Sequence, residues 1–318
     1  MRSKSKINLN HLLNLTDDFG IWQHTDGDNI DKKHGYSLDD AARGLVLAIG
    51  LGLENEAKVY LEYIRLSLKH KSNFFDQYRR PIKFFPSEDA LGQSIWALSL
   101  AMSRGFMTEK AESVLKEVDK IDLDGNIRGL SYSILGLVHT DLSRVRHFVS
   151  QINKKIADHS AGHWYWPEKS LTYGNAIMPL SLMEAAHYLH DQSLLDSGLR
   201  MLNFLNRTMK KNKLPIAIGN KGWYQKGEKK AFFDQQPIDP AYQVLANKKA
   251  FSITKEEKYR LESESYYKWF WGHNIVGLPL VSKEKGSCSD GITAEGISLN
   301  SGAESVICYL MAEESIND

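Results

Sequence analysis

The chain has 318 residues, 40 Lys+Arg against 39 Asp+Glu, 42% hydrophobic and 25% charged residues. These globular proportions exclude disorder as the main state, and the near-zero net charge excludes a dedicated nucleic-acid binder, which needs a large positive field. Two cysteines, Cys288 and Cys308, make neither a disulfide framework nor a four-thiolate zinc site. The basic opening MRSKSKINLNHLLNL lacks an apolar run of signal-peptide length, and no later stretch reaches the roughly 18 apolar residues of a membrane span. The expectation is a soluble, cytoplasmic protein of one domain, residues 1–318, with residues 1–19 loosely packed.

The dominant period is helical. From Leu38, LDDAARGLVLAIGLGLENEAKVYLEYIRLSL reads as two amphipathic helices joined near Gly52 and Glu54. DALGQSIWALSLAM, from Asp89 to Met102, and Glu109 to Val118 form a second pair. A third spans Gly125 to Val138 and Leu142 to Ile156, and a fourth NAIMPLSLMEAAHYLH and Leu194 to Met209. A fifth runs from Pro237 to Lys249 and from Thr254 to Trp269, and a last helix begins near Gly302. The strand-like segments are short: IAIG at 216–219 and IVGLPLV at 275–281. Without a βαβ rhythm a doubly wound sheet is excluded, and the uneven pair lengths do not suit a solenoid. Five helical hairpins and a terminal helix predict an all-α (α/α)6 toroid with a few short strands in loops.

In such a ring the first helix of each pair is inner, all inner helices are parallel, and their N-termini converge on one rim. Asp39-Asp40, Glu88-Asp89, Arg128, Tyr173 and Asn175, Gln235-Gln236 and Glu304 fall at those termini, where helix dipoles favour anionic groups. Capping alone would explain the acids, but not the aromatic company: Trp22, Trp164, Trp166 and Trp223 lie in segments leading into inner helices. Aromatic faces beside carboxylates and amides suit sugar rings, which stack C–H faces while their hydroxyls find partners.

Glycoside hydrolysis needs an acid and a second carboxylate. One catalytic residue is expected from Asp39/Asp40 and one from Glu88/Asp89, because adjacent residues at a helix start point in different directions; the spare member caps, or pairs with Arg43. Glu168 is the alternative acid, beside Trp166 and Pro167. His24, Trp166, Glu168, Tyr173, Asn175, Trp223, Gln235, Gln236, Asp290 and Glu304 are expected to hold substrate. No HExxH and no phosphate-binding glycine motif occurs, so neither metal nor cofactor is expected. The lysine-rich NKGWYQKGEKKA reads as a solvated loop that would also attract an acidic sugar.

The segments GIWQH, GYSLDDAARGL, SEDALGQSIWAL, WYWPEKSLTYGNA, IGNKGWY, DQQPIDPA, CSDGI and NSGAES, in unbroken order from about Gly20 to Ala312, resemble signatures of the six-hairpin glycosidase-like proteins. The likeness is to a group found beside or fused to glycosyltransferases of sugar-polymer clusters. It implies an oligosaccharide or polysaccharide substrate and a glycosyltransferase as partner. Ala41 stands where the pattern has Asn, and Gly174 where it has Asp; both exchanges bear on activity. A glycoside hydrolase is the leading expectation. A sugar epimerase or lyase, with His24, His163 or Tyr173 as base, and a non-catalytic glycan-binding partner are the rivals.

Overall fold

The computed structural model describes residues 7–317 apart from 28, 119–122 and 124; residues 1–6 of the segment expected to be loosely packed lie outside them. Polar side chains open the inner helices. Ser37 accepts from Asp40 N and caps α2 (Leu38–Leu51), Ser87 accepts from Ala90 N and caps α4 (Glu88–Ser103), and Asn126 caps α6 (Ile127–Leu137). The acidic doublets therefore follow the caps rather than serving as them. α8 (Ile177–Leu189), α10 (Ile238–Thr254) and α12 (Ala303–Asn317) complete the inner set.

Helices α2, α4, α6, α8, α10 and α12 touch in that cyclic order, and α12 closes back onto α2. This is an (α/α)6 toroid. The inner helices are buried on almost every side; all residues of α6 are buried. The outer helices α3 (Glu54–His70), α5 (Thr108–Val118), α7 (Leu142–His159), α9 (Gln192–Thr208) and α11 (Glu257–Trp269) each bury one stripe against the preceding inner helix, the pattern of an amphipathic surface helix. The terminal helix is not alone. Short α1 (Asn10–Leu15) packs on α12, burying Leu12 and Leu15, and His11 Nε2 lies 2.7 Å from Ser301 O.

The tightest inner contact is α4 against α6. A Cβ on Gly92 would lie 2.2 Å from Gly129 O, and one on Gly129 would lie 2.6 Å from Glu88 O. Glycine alone lets the two backbones meet. The strands among the described residues are two-residue pieces in the connections. IAIG is not one of them. Its backbone is buried and satisfied instead by Met209 O, Ala231 O and the Gln235 side chain. Of 275–281 only Val281 joins a strand, paired with Cys288.

Candidate active site

The inner-helix N-termini form one bowl, and partners from other hairpins sort each acidic doublet. In α2, Asp40 turns into the wall: Ser37 Oγ donates to Asp40 Oδ2 at 2.6 Å, and Arg43 Nη1 lies 3.6 Å from Asp40 Oδ1. Asp39 stays half-buried and accepts from Asn73 Nδ2 at 3.0 Å. In α4, Glu88 is turned sideways, accepting from Asn126 N at 3.0 Å at the start of α6. Asp89 is buried and faces the axis, where Tyr173 Oη donates to its Oδ2 at 2.7 Å; its Oδ1 is buried without a hydrogen-bond partner among the described residues. Asp40 and Glu88 are thus tied to the helix starts, whereas Asp39 and Asp89 are each held by a side chain from a connection between helices, Asn73 and Tyr173.

Two arginines brace the bowl. Arg43, 2% exposed, reaches Glu304 Oε2 at 3.2 Å. Arg128 donates to Tyr173 O at 2.8 Å, Thr172 Oγ1 at 2.6 Å and both carboxylate oxygens of Glu168 at 3.2 and 3.1 Å, with the Tyr173 ring stacked 4.7 Å from its guanidinium carbon. Glu168 is therefore held in a bidentate ion pair rather than set in an apolar pocket beside Trp166. Carboxyl groups still outnumber guanidinium groups, and burial acts on them. It pushes Asp40 up to about 7, against the pull of Arg43 and the Ser37 hydrogen bond, with the charges of Glu304 and Asp39 adding to the rise. Asp239, the second residue of α10, is 2% exposed and is also pushed to about 7 by burial, despite accepting from Asn175 N and Nδ2. Asp89 is raised by burial, opposed by Tyr173 and Arg128 and reinforced by the charge of Asp39.

The other expected substrate residues divide. Tyr173 is 37% exposed with Trp223 beside it at 6.2 Å between ring centroids, and both border the bowl. Gln236 is half-buried at the start of α10. Glu304 faces Arg43, and Asp290 accepts from Gly302 N and Ser305 Oγ, capping α12. His24 is exposed and edge-on to His34 at 4.6 Å; partial burial of its ring and the neighbouring His34 lower its pKa. Three residues are spent on the fold. Trp166 is fully buried against Phe204 and donates Nε1–H to Ser170 O. Asn175 is fully buried, binding Thr172 and Asp239. Gln235 Oε1 takes Ala217 N and Trp269 Nε1, and its amide donates to Phe232 O. Buried loop backbone needs such partners.

Asp239 counts among the rim acids that the sequence offers but has no role assigned there, and two contributors lay outside the expected set: Tyr132, in the middle of apolar α6, and Tyr242, in the second turn of α10. Their hydroxyls are buried at the bowl floor, without hydrogen-bond partners among the described residues. Gly174 lies directly above them with φ of 57°; its Cβ would stand 3.5 Å from Tyr132 Oη. Being a glycine, Gly174 puts no side chain over the two hydroxyls. Among the described residues no group of three or more His, Cys, Asp or Glu is placed to hold a metal ion, and no helix is long and apolar enough to cross a membrane.

No family model and no curated protein matches this chain. Solved structures match over nearly all of it. The cellobiose 2-epimerase of Bacillus thermoamylovorans B4167 has a TM-score of 0.70 at 12% identity, covering 96% of this chain and 94% of that one. A D-mannose isomerase has a TM-score of 0.73 at 12% identity, with 95% and 92% covered. An α-1,6-mannanase of Salegentibacter sp. HEL1_6, in complex with α-1,6-mannotriose and inactivated by changing two adjacent aspartates to asparagine, has a TM-score of 0.62 at 10% identity, with 95% and 94% covered. Sugar epimerases, isomerases and glycoside hydrolases therefore share the six-hairpin toroid seen here.

Proposed function

We propose that this chain is a carbohydrate-active enzyme that hydrolyses a glycosidic bond, with Asp39 and Asp89 as the working carboxyl pair. The observation that carries the reading is the sorting of the doublets: Asp40 and Glu88 are engaged by the wall, while Asp39 and Asp89 are electrostatically coupled and one of them is raised. A hydrolase needs one carboxyl group protonated and one ionised near neutral pH. Asp89, held by the Tyr173 hydroxyl, donates its proton to the leaving glycosidic oxygen as the C–O bond breaks. Asp39 acts on the opposite side of the anomeric carbon, and water supplies the hydroxyl of the new reducing end while its other proton passes to the carboxyl pair, which restores the protonated acid. Trp223 and Tyr173 stack the sugar, and Gln236, Glu304 and His24 are placed for its hydroxyls. The adjacent aspartate pair needed by the mannanase agrees with a role for the Asp39-Asp40 doublet. A glycosyltransferase partner fits the same reading, since a hydrolase trims what a transferase extends, and so does a cytoplasmic setting.

One observation favours a second reading. Tyr173 and the two arginines beside the carboxyl groups would also serve epimerisation, in which a base removes a proton next to a carbonyl, and epimerases share the fold. Incubation with oligosaccharides in D2O separates the two. Hydrolysis yields new reducing ends with no deuterium on sugar carbon, and Asp39→Asn or Asp89→Asn lowers the rate by about 10² to 10⁴-fold. Carbon-bound deuterium without new reducing ends would replace hydrolysis by epimerisation.

A further inference from the structure

Outside the bowl, the connections from α7 to α8 and from α9 to α10 enclose a groove of about 720 Å³ on the outer rim, within the size range of small-molecule sites. Its lining includes Arg200, Arg207 and Lys226 with Trp164, Tyr165 and Tyr224, and no carboxylate. None of the three cations makes an ion pair among the described residues, although Arg200, Arg207 and Lys226 are all exposed. Exposed cations on a near-neutral protein are ordinarily interspersed with acids; here they converge on a concave surface.

The groove is held in shape. The Arg200 guanidinium lies 4.1 Å from the Tyr165 ring centroid, and Tyr165 Oη is 3.0 Å from Ser197 Oγ. Trp164 donates Nε1–H to Glu168 O at 2.9 Å and meets Tyr224 edge-on at 5.4 Å. Lys226 Nζ donates to His159 O at 3.2 Å, which fixes its head at the groove edge. The groove also adjoins the bowl. Ser170-Leu171 pairs with Tyr224-Gln225, and Trp223, just before that strand with φ of 56°, lies beside Tyr173 in the bowl while Tyr224 meets Trp164 in the groove. A separate cavity of about 310 Å³ is lined by Lys155, Lys169, Arg128 and Glu168 together with His159, whose carbonyl accepts from Lys226.

The geometry points to a second carbohydrate subsite that binds the acidic, uronate- or sulfate-bearing portion of a glycan whose scissile unit lies in the bowl. The cations neutralise the acid groups while the half-buried Tyr165 and Tyr224 offer ring surface to sugar C–H faces. The site rests on the glycan reading above, but not on hydrolysis.

Titration calorimetry of the whole chain with an oligogalacturonate and with a sulfated galactan oligomer tests this, with a neutral mannan oligomer and a single-stranded oligodeoxynucleotide of equal charge as controls. Arg200→Gln/Arg207→Gln is expected to weaken at least one acidic oligomer about tenfold, two exposed charges each contributing up to about 1 kcal/mol, and to leave the neutral oligomer unchanged. Raising salt should weaken the acidic oligomer in wild type more than in the variant. Asp89→Asn should retain the binding, so a failed hydrolase reading leaves the groove result standing. Neither acidic oligomer binding, unchanged affinity in the double variant, or loss with Asp89→Asn alone would overturn the subsite. Equal or tighter groove-dependent binding of the oligodeoxynucleotide would replace it with a general polyanion surface.

Discussion

Replacing Asp40 by Asn gives a quantitative check on the electrostatics of the bowl. Asp40 is 6% exposed, and burial lifts its carboxyl from the ordinary 3.8 to about 7. The folded protein therefore holds this proton more tightly than the unfolded chain. The stabilisation from that tighter binding is complete below about pH 3.8, declines as pH rises, and is gone above about 7. At about 1.4 kcal/mol per tenfold change in proton affinity, the rise corresponds to about 4 kcal/mol. Asparagine keeps an acceptor for Ser37 Oγ but does not titrate, and Arg43 retains Glu304 at 3.2 Å. Urea unfolding of both proteins at a series of pH values from about 4 to 8 isolates the effect, because every other titrating group, Asp239 included, is common to both. The Asn variant should gain on wild type across that range by about 3 to 5 kcal/mol, with most of the change between pH 4 and 7. A difference constant to within about 1 kcal/mol would refute the reasoning, since it would mean that Asp40 titrates alike in the folded and unfolded chains.

Tyr173→Phe removes the hydroxyl that donates to Asp89 and so holds its pKa down; the basic limb of the kcat/KM profile should move to higher pH, and a limb that stays or moves down would remove Asp89 as the acid. Gly129→Ala sets a Cβ 2.6 Å from the Glu88 carbonyl oxygen, where backbone on both sides prevents relief. The overpacking costs about 1 to 3 kcal/mol, offset by at most about 1 kcal/mol of helix propensity, so the urea midpoint should fall, and a raised midpoint would show that α4 and α6 separate freely.

The ring was legible because its signal is repeated: each inner helix is apolar nearly all round, each outer helix has one stripe, and the pairs follow one another in order. The sixth outer helix was missed because α1 has six residues, too few for a period to show. Within the site, the doublets were legible in position but not in direction. Asp39, Glu88 and Asp89 are aimed by Asn73, Asn126 and Tyr173, which lie 34, 38 and 84 residues away. No local pattern encodes such a partner. The amide and indole residues show the converse. Asn175, Gln235 and Trp166 have the chemistry of sugar-binding groups, but the connections around the bowl are buried and their backbone groups claim those side chains first.

The same competition sets the character of the bowl. Convergent helix N-termini favour ionised carboxyl groups by about 0.3 to 2 kcal/mol each, whereas burial raises Asp40 and Asp239 by the equivalent of about 4 kcal/mol against that pull. Burial wins, so the bowl holds a reserve of protonated acid near neutral pH at Asp40 and Asp239. An acidic sugar entering there would add a further negative charge beside carboxyl groups already crowded enough to raise one another. A neutral unit suits the bowl better, and the acid groups of the same chain belong over the rim, where Arg200, Arg207 and Lys226 stand without competing carboxylates. The division of charge between bowl and groove thus predicts a polymer of mixed neutral and acidic residues, bound in one register by two sites of opposite electrostatic preference.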